Sequence, residues 1–363
     1  MGMGIANGRK PSRGVGCNKP KHFMSRSPGR AVAFKCRYSR GFPLYQSSRQ
    51  GSDILRAAVI GTGAFGRHHA SKYAKLPGVA LTAVADPCAD ARRASMAAHG
   101  VTAVADWREL LGKVDLVSVC SPAVTHAPIV RGFLNAGAHV LVEKPIATDL
   151  DEADALIALA ETKNRVLTVG HQERFVFART GLLNFPDAPL EVECWRTGPW
   201  TGRGADVSAV LDLMIHDLDL VHRLIPGGVA DVRARGRATH AEHADEVSAL
   251  ISFDNEAQAR LVASRISPIR RRGMRAVYAD GVVEIDFVTR EVKNTTSRAL
   301  SPLEMNDPLG ESVAAFVDAV RLGKPALVRP EEARRALETA LLIDEAAEET
   351  GTRHAEEQRA LYA

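Results

Sequence analysis

The run Gly61-Thr62-Gly63-Ala64-Phe65-Gly66 stands directly between a short apolar, β-branched stretch at 57–61 and an amphipathic helical stretch at 65–76. Three glycines at this spacing, between a strand and a helix, constrain the chain severely. The first permits the tight turn, the second lets backbone approach a pyrophosphate, and the third lets the helix pack closely on the strand. The helix start then offers free N–H groups and partial positive charge to the phosphates. Gly61, Thr62, Gly63, Ala64, Phe65 and Gly66 are therefore the candidate pyrophosphate cradle. An acid is expected at the end of the next strand, and Asp86 stands there, 25 positions after Gly61. Its carboxylate suits the ribose hydroxyls of NAD and repels the extra phosphate of NADP; it is equally placed to cap the helix that follows Pro87. Arg92 and Arg93 lie a turn or more beyond, which keeps NADP open as the cofactor.

The remaining pattern extends that start into a whole domain. Strand-like runs at 57–61, 79–86, 101–105, 115–121, 139–143 and 166–170 alternate with helical stretches at 65–76, 89–99, 107–111, 125–136 and 150–163. This order predicts βαβ units and a doubly wound parallel sheet, with strands apolar throughout because both faces are covered. After Glu173 the texture changes to one helix at 208–224 and alternating strands at 229–239, 246–253, 257–266, 275–279 and 282–288, followed by helices at 309–322 and 331–349. Asp254-Asn255 and Asp280-Gly281 mark turns. The fold class is α/β: an N-terminal Rossmann domain at 53–173, then an α+β domain at 174–363 with a large, mostly antiparallel, open-faced sheet. A C-terminal helix is expected to pack back on the first domain.

Charge is unevenly distributed. Residues 1–52 hold 11 of the 47 basic residues and none of the 43 acidic ones, so the remainder is mildly acidic. The basic opening reads as a disordered extension, a nucleic-acid or membrane arm, an organelle transit peptide or a misassigned start; it lacks the apolar stretch of a secretory signal. The acidic body argues against nucleic acid as a partner, and no apolar run approaches the roughly 20 residues of a membrane span. Five scattered cysteines, none in C-x-x-C spacing, predict neither zinc nor redox chemistry and fit a cytoplasmic protein.

Further candidates fall at the carboxyl ends of the predicted strands, where open α/β sheets bind ligands. Ser121, Pro122 and His126 follow the fourth, as cofactor contacts or plain loop formers. Glu143-Lys144-Pro145 follows the fifth, where a lysine can hold an alkoxide or form a surface ion pair. On the later helix Asp212 and His216 are i and i+4, spaced as a general base with its orienting carboxylate or as a structural pair.

Together these features resemble the Gfo/Idh/MocA oxidoreductases over about residues 55–349. The resemblance implies a nicotinamide cofactor, a sugar or polyol substrate, and a homodimer or homotetramer formed through the open sheet face. It implies Lys144, Asp212 and His216 as the catalytic group, with Glu143 and Lys144 also beside the cofactor. Gly66-Arg-His-His-Ala70, Val169-Gly-His-Gln-Glu-Arg-Phe175, Asp212-Leu-Met-Ile-His-Asp217 and Ala263-Ser-Arg265 are similar to the UDP-N-acetylglucosamine 3-dehydrogenase branch. That branch implies NAD-dependent oxidation of a nucleotide-sugar 3-hydroxyl; an inositol or free-sugar dehydrogenase and a non-catalytic NAD-binding regulator are the alternatives. Where the branch continues Arg-Phe-Asn-Pro, this chain has Arg174-Phe175-Val176-Phe177. For a diphosphate, Arg174, Arg196, Arg203 and Arg265 are the candidate cations, and His171 joins them as a substrate contact.

Overall fold

Strands β1 (Leu55–Ile60), β2 (Val79–Ala85), β3 (Thr102–Val104), β4 (Leu116–Val119), β5 (His139–Val142) and β6 (Leu167–Val169) form one parallel sheet in the computed structural model, in the order β3-β2-β1-β4-β5-β6. The model describes residues 54–303 and 307–361, with side chains as far as Glu348; the basic opening at 1–52, Cys17 and Cys36 lie outside the described residues. The order reverses between β1 and β4, which creates the crevice where this architecture binds ligands. Ala57, Ala58, Val59 and Ile60 are all buried, as are Leu116, Val117 and Val119, because helices cover both faces.

Those helices are α1 (Ala64–Tyr73), α2 (Ala89–His99), α3 (His126–Asn135) and α4 (Leu150–Thr162). The stretch at 107–111 forms a single 3₁₀ turn, Trp107–Leu110, held by the Asp106 carboxylate accepting the Arg108 N–H. Asp149 caps α4 in the same way through the Glu152 N–H at 3.0 Å.

The second sheet holds β7 (Glu191–Thr197), β8 (Val229–Arg237), β9 (Glu246–Phe253), β10 (Gln258–Ser264), β11 (Arg271–Tyr278), β12 (Gly281–Asp286) and β13 (Val292–Asn294). Its order is β13-β12-β11-β7-β10-β9-β8, antiparallel throughout except that β7 and β10 run parallel. β7 occupies the middle of this sheet although the sequence reading placed no strand there. Its alternation is regular, with Val192, Cys194 and Arg196 inward and Glu191, Glu193 and Trp195 outward. The buried arginine at an inward position, with two acids opposite, disguises the strand.

Helices α5 (Glu173–Thr180), α6 (Ile215–Leu224), α7 (Pro308–Leu322) and α8 (Pro330–Leu361) complete the chain. α7 returns to the first sheet: Val313, Phe316 and Val317 share a buried cluster with Val59, Tyr73 and Leu141. Lys72 on α1 donates to Asp307 at 2.8 Å, at the start of α7. α6 and α8 cover the inner face of the second sheet, where Leu218, Val221, Ala336 and Leu337 join its core. The opposite face is left with Val262 at 40% exposure and Trp195 partly covered. No helix among the described residues is long and apolar enough to cross a membrane.

Candidate active site

The glycine loop is shaped as its spacing requires. Gly61 turns at φ +81°, and a Cβ there would come within 2.7 Å of the Ser121 nitrogen. A Cβ on Gly66 would overlap the Gly61 carbonyl, so the third glycine lets α1 close on β1. At Gly63 the situation is opposite: a Cβ would meet nothing within 4 Å. Gly63 is also the N-cap of α1, with no side-chain cap and no acid in the first turn. An open approach to uncapped N–H groups is what a dinucleotide pyrophosphate needs, so these residues fit NAD.

Asp86 serves both expectations at once. Its carboxylate accepts the Thr62 N–H at 2.7 Å and the Thr62 hydroxyl at 3.2 Å, and its other oxygen takes the Cys88 N–H at the start of α2. Of roughly four acceptor sites on a carboxylate three are used, leaving one for a ribose hydroxyl. Arg92 folds back onto the Asp86 and Pro87 carbonyls, and Arg93 pairs with Asp90. His126 differs from its expected role. It is buried with one ring nitrogen 2.7 Å from the Pro145 carbonyl and the other 2.9 Å from the Ser121 carbonyl. It braces the loop after β4 against the loop after β5 and offers no free nitrogen to a cofactor.

After β5 the chain passes through Glu143, Lys144 and a cis bond to Pro145. The Lys144 ammonium donates to the Asp212 carboxylate at 3.1 Å and also to the Asp212 carbonyl. This contact joins the carboxyl edge of the first sheet to the helix packed on the second. The stretch expected as one helix begins as a π turn, Val210–Met214, before α6. Such wide turns recur at functional sites, and here one brings the Asp212 backbone carbonyl and one of its carboxylate oxygens to the lysine. No hydrogen bond joins Asp212 to His216 among the described residues, which corrects the expectation that this carboxylate orients the imidazole.

His216 is half-buried and its Nδ1 is buried without a partner among the described residues. His171, at the end of β6, stands edge-on to it with ring centres 6.1 Å apart, and both His171 nitrogens are likewise unpartnered. Burial pushes the His216 pKa well below the ordinary histidine value, with Lys144, Arg196, His171 and Arg272 adding to the effect. Burial also lowers His171. Both imidazoles are neutral at pH 7 and able to accept a proton.

Residues 55–171 match the model of an oxidoreductase family with an NAD-binding Rossmann fold, and residues 183–284 match the Gfo/Idh/MocA C-terminal domain. A UDP-N-acetylglucosamine 3-dehydrogenase of Acidithiobacillus ferrooxidans is 34% identical over 309 residues, 81% of this chain and 97% of that protein. The chain belongs to the Gfo/Idh/MocA oxidoreductase family.

A crystal structure of that Acidithiobacillus dehydrogenase superposes with a TM-score of 0.75 at 33% identity, over 81% of this chain and 98% of its own. A scyllo-inositol dehydrogenase from Lactobacillus casei, solved with NAD(H) and scyllo-inositol, shares the fold at TM-score 0.71 and 20% identity, over 82% of this chain and 98% of its own. An inositol 2-dehydrogenase of Rhodococcus erythropolis is 30% identical over 49% of this chain and 55% of its own length.

Within this Gfo/Idh/MocA chain the arginines expected at a diphosphate are mostly committed elsewhere. Arg174 grips Asp219 with two bonds of 2.6 Å and also binds Glu332. Arg196 grips Asp217 at 2.7 and 3.1 Å and reaches Glu173 at 3.1 Å. Arg265 pairs with Asp245 at 2.7 Å and holds the Gly204 and Val207 carbonyls, fixing a loop so close to Asp212 that a Cβ on Gly204 would strike its carboxylate. All three are buried; Arg174 and Arg196 are forked onto buried carboxylates and so act as scaffold rather than ligand, whereas Arg265 makes one carboxylate bond and keeps its Nη2 unpartnered among the described residues. Arg203 is exposed at the surface.

Further contributors were missed by the sequence reading. Glu143 is held by His69 at 2.9 Å and by Gln172 at 3.1 Å, and His69 continues to Ser118 and Tyr73. Gly170 is required beside it, since a Cβ there would lie 2.5 Å from the Glu143 carboxylate. His69 belongs to the Gly66-Arg-His-His-Ala70 motif; its placement at i+3 from Gly66, on the sheet side of α1, was the available signal. Arg272 gave none, because it lies in a run of three arginines that reads as surface.

Proposed function

We propose that this dehydrogenase of CH–OH groups oxidises a secondary hydroxyl of a nucleotide sugar, converting UDP-N-acetylglucosamine to its 3-keto form with NAD. The observation that carries the chemistry is the Lys144–Asp212 contact at 3.1 Å, which brings an ammonium from the carboxyl edge of the first sheet to the turn that leads into the His216 helix. The substrate assignment is supported by the 34% identity to the Acidithiobacillus enzyme over nearly its whole length.

Bound NAD would supply the hydride acceptor. The neutral His216 takes the hydroxyl proton as the C–H bond breaks, and Lys144 stabilises the developing alkoxide. Asp212 fixes the position of the Lys144 ammonium rather than that of the imidazole. His171 has two unpaired buried nitrogens beside His216 and contacts the substrate. Asp86 and the folded-back Arg92 favour NAD over NADP, since no free cation among them faces an added phosphate. The cell compartment is the cytoplasm. The oligomer is a homodimer or homotetramer formed across the outer face of the second sheet.

The inositol reading is favoured by one observation: Val176 and Phe177 replace the residues usual in the nucleotide-sugar branch, and Phe177 is buried in α5, the helix after His171. UDP-N-acetylglucosamine deuterated at C3 separates the readings. The proposal expects deuterium in the reduced nicotinamide and a slowed turnover; transfer from a free polyol, with none from the nucleotide sugar, would overturn it.

A further inference from the structure

Arg196 and Arg272 are direct partners across β7 and β11, on the inner face of the sheet. Like charges facing each other across strands are destabilising, yet only one of the two is compensated. Arg196 has both Asp217 and Glu173. Arg272 is half-buried and its guanidinium makes no hydrogen bond or ion pair among the described residues. Burial and the neighbouring Arg196 pull its pKa down, against an opposing influence of Glu173 and Asp217.

Arg272 also lines a cavity of about 230 Å³, together with Gln172, Glu173, Val176, Phe287 and Arg290. Whole small-molecule sites run from roughly 300 to 1,000 Å³, so this cavity is the size of a subsite for one part of a larger ligand. One wall leads toward the proposed catalytic group: Gln172 donates to Glu143, the neighbour of Lys144 in the chain, at 3.1 Å. The one acid in the wall, Glu173, is occupied by Arg196.

The second cation stands in an unusual backbone state. Arg290 has φ +65° in the β12–β13 turn, where Asp286 accepts the Val288 and Thr289 N–H groups at 2.7 and 2.8 Å. Glycine or asparagine relieves that conformation; arginine bears its cost, which is more readily understood if the side chain serves a site.

We infer that Arg272 and Arg290 form an anion subsite that takes the diphosphate of the substrate while the sugar lies against His216 and Lys144. This rests on the nucleotide-sugar reading above, and it replaces Arg174, Arg196 and Arg265 as the phosphate ligands. Two arginines, the half-buried Arg272 and the exposed Arg290, line this one cavity, and guanidinium groups suit the bidentate geometry of phosphate oxygens.

The test measures binding of inorganic diphosphate and of UDP by calorimetry, and KM for UDP-N-acetylglucosamine, in the full chain and in Arg272→Gln, Arg290→Gly and Arg271→Gln. Arg271 lies one residue away on the outer face, over Trp195. The expected loss is about tenfold to a hundredfold in UDP and diphosphate affinity for Arg272→Gln and Arg290→Gly, with KM raised in step and Arg271→Gln unaffected. Arg290→Gly removes a strained residue, so its melting temperature should hold or rise and misfolding cannot mimic the loss. Turnover of the nucleotide sugar with unchanged KM and UDP affinity in both variants would overturn the subsite and leave the proposed function standing. Turnover of only an uncharged polyol would overturn the proposed function; diphosphate binding lost in Arg272→Gln would then still support the subsite, and absence of any anion binding by the unaltered chain would remove it.

Discussion

His216 stays neutral because its surroundings are dry and cationic, and that single fact sets the expected pH behaviour of the enzyme. A base with a depressed pKa works until the pH falls through that lowered value, so the acid limb of kcat should lie well below 6.5. Lys144 is the first of the cations that depress it. Lys144→Met removes that charge, which favours the imidazolium and moves the acid limb to higher pH while kcat falls by about 10²- to 10⁴-fold. A pH profile of the variant that lost rate without moving would separate Lys144 from the His216 electrostatics. At this scale the sequence was partly legible. Lys144, Asp212 and His216 were named from spacing and motif; Lys144 and Asp212 are in contact, but which group Asp212 serves depends on a π turn that no residue pattern announces. The diphosphate arginines were chosen by residue type alone, and type does not reveal whether a buried acid waits for the guanidinium.

The glycine loop ties one element to another, and its three glycines are needed for different reasons. Gly66 is required by the protein itself, since a Cβ would overlap the Gly61 carbonyl. Gly63 is not required by the protein itself: its φ is −60°, acceptable to alanine, and the space beyond it is empty, where the proposed cofactor would lie. Gly63→Ala should therefore keep the melting temperature and weaken NAD binding at least about tenfold, whereas Gly66→Ala should lower both. Equal NAD affinity in Gly63→Ala, measured by fluorescence titration, would mean that the pyrophosphate does not lie there. The elements of the first sheet were legible because buried parallel strands are apolar throughout and glycines punctuate them. Those of the second sheet were less so. β7 alternates charged and buried residues and places an arginine inward, and β11 begins with Arg271 and Arg272, which propensity reads as loop.

For the whole molecule, the two sheets divide the labour. The first presents the cofactor cradle at its carboxyl edge, and the second carries the helix with Asp212 and His216 on its inner face. The outer face of the second sheet has mixed character: Arg260 and Arg275 pair with Glu191 and Glu193 around Trp195 and the exposed Val262. Burying that face between subunits is the proposed route to an oligomer, so Val262→Asp should lower the mass found by light scattering toward that of the monomer. An unaltered mass would move the interface elsewhere. The overall α/β architecture followed from the order of strand and helix signals; a C-terminal helix was expected to pack back on the first domain, but that α7 does so is a tertiary choice among equally apolar faces.

The central claim is that Lys144 and His216 oxidise a hydroxyl of a nucleotide sugar. Reduced-nicotinamide absorbance, followed with NAD and in turn UDP-N-acetylglucosamine, free N-acetylglucosamine and myo-inositol, tests it most directly when run beside His216→Ala. The account predicts NADH from the UDP-sugar alone, and a rate lowered about 10²- to 10⁴-fold in the variant. NADH from myo-inositol or the free sugar instead, or an undiminished rate in His216→Ala, would contradict it.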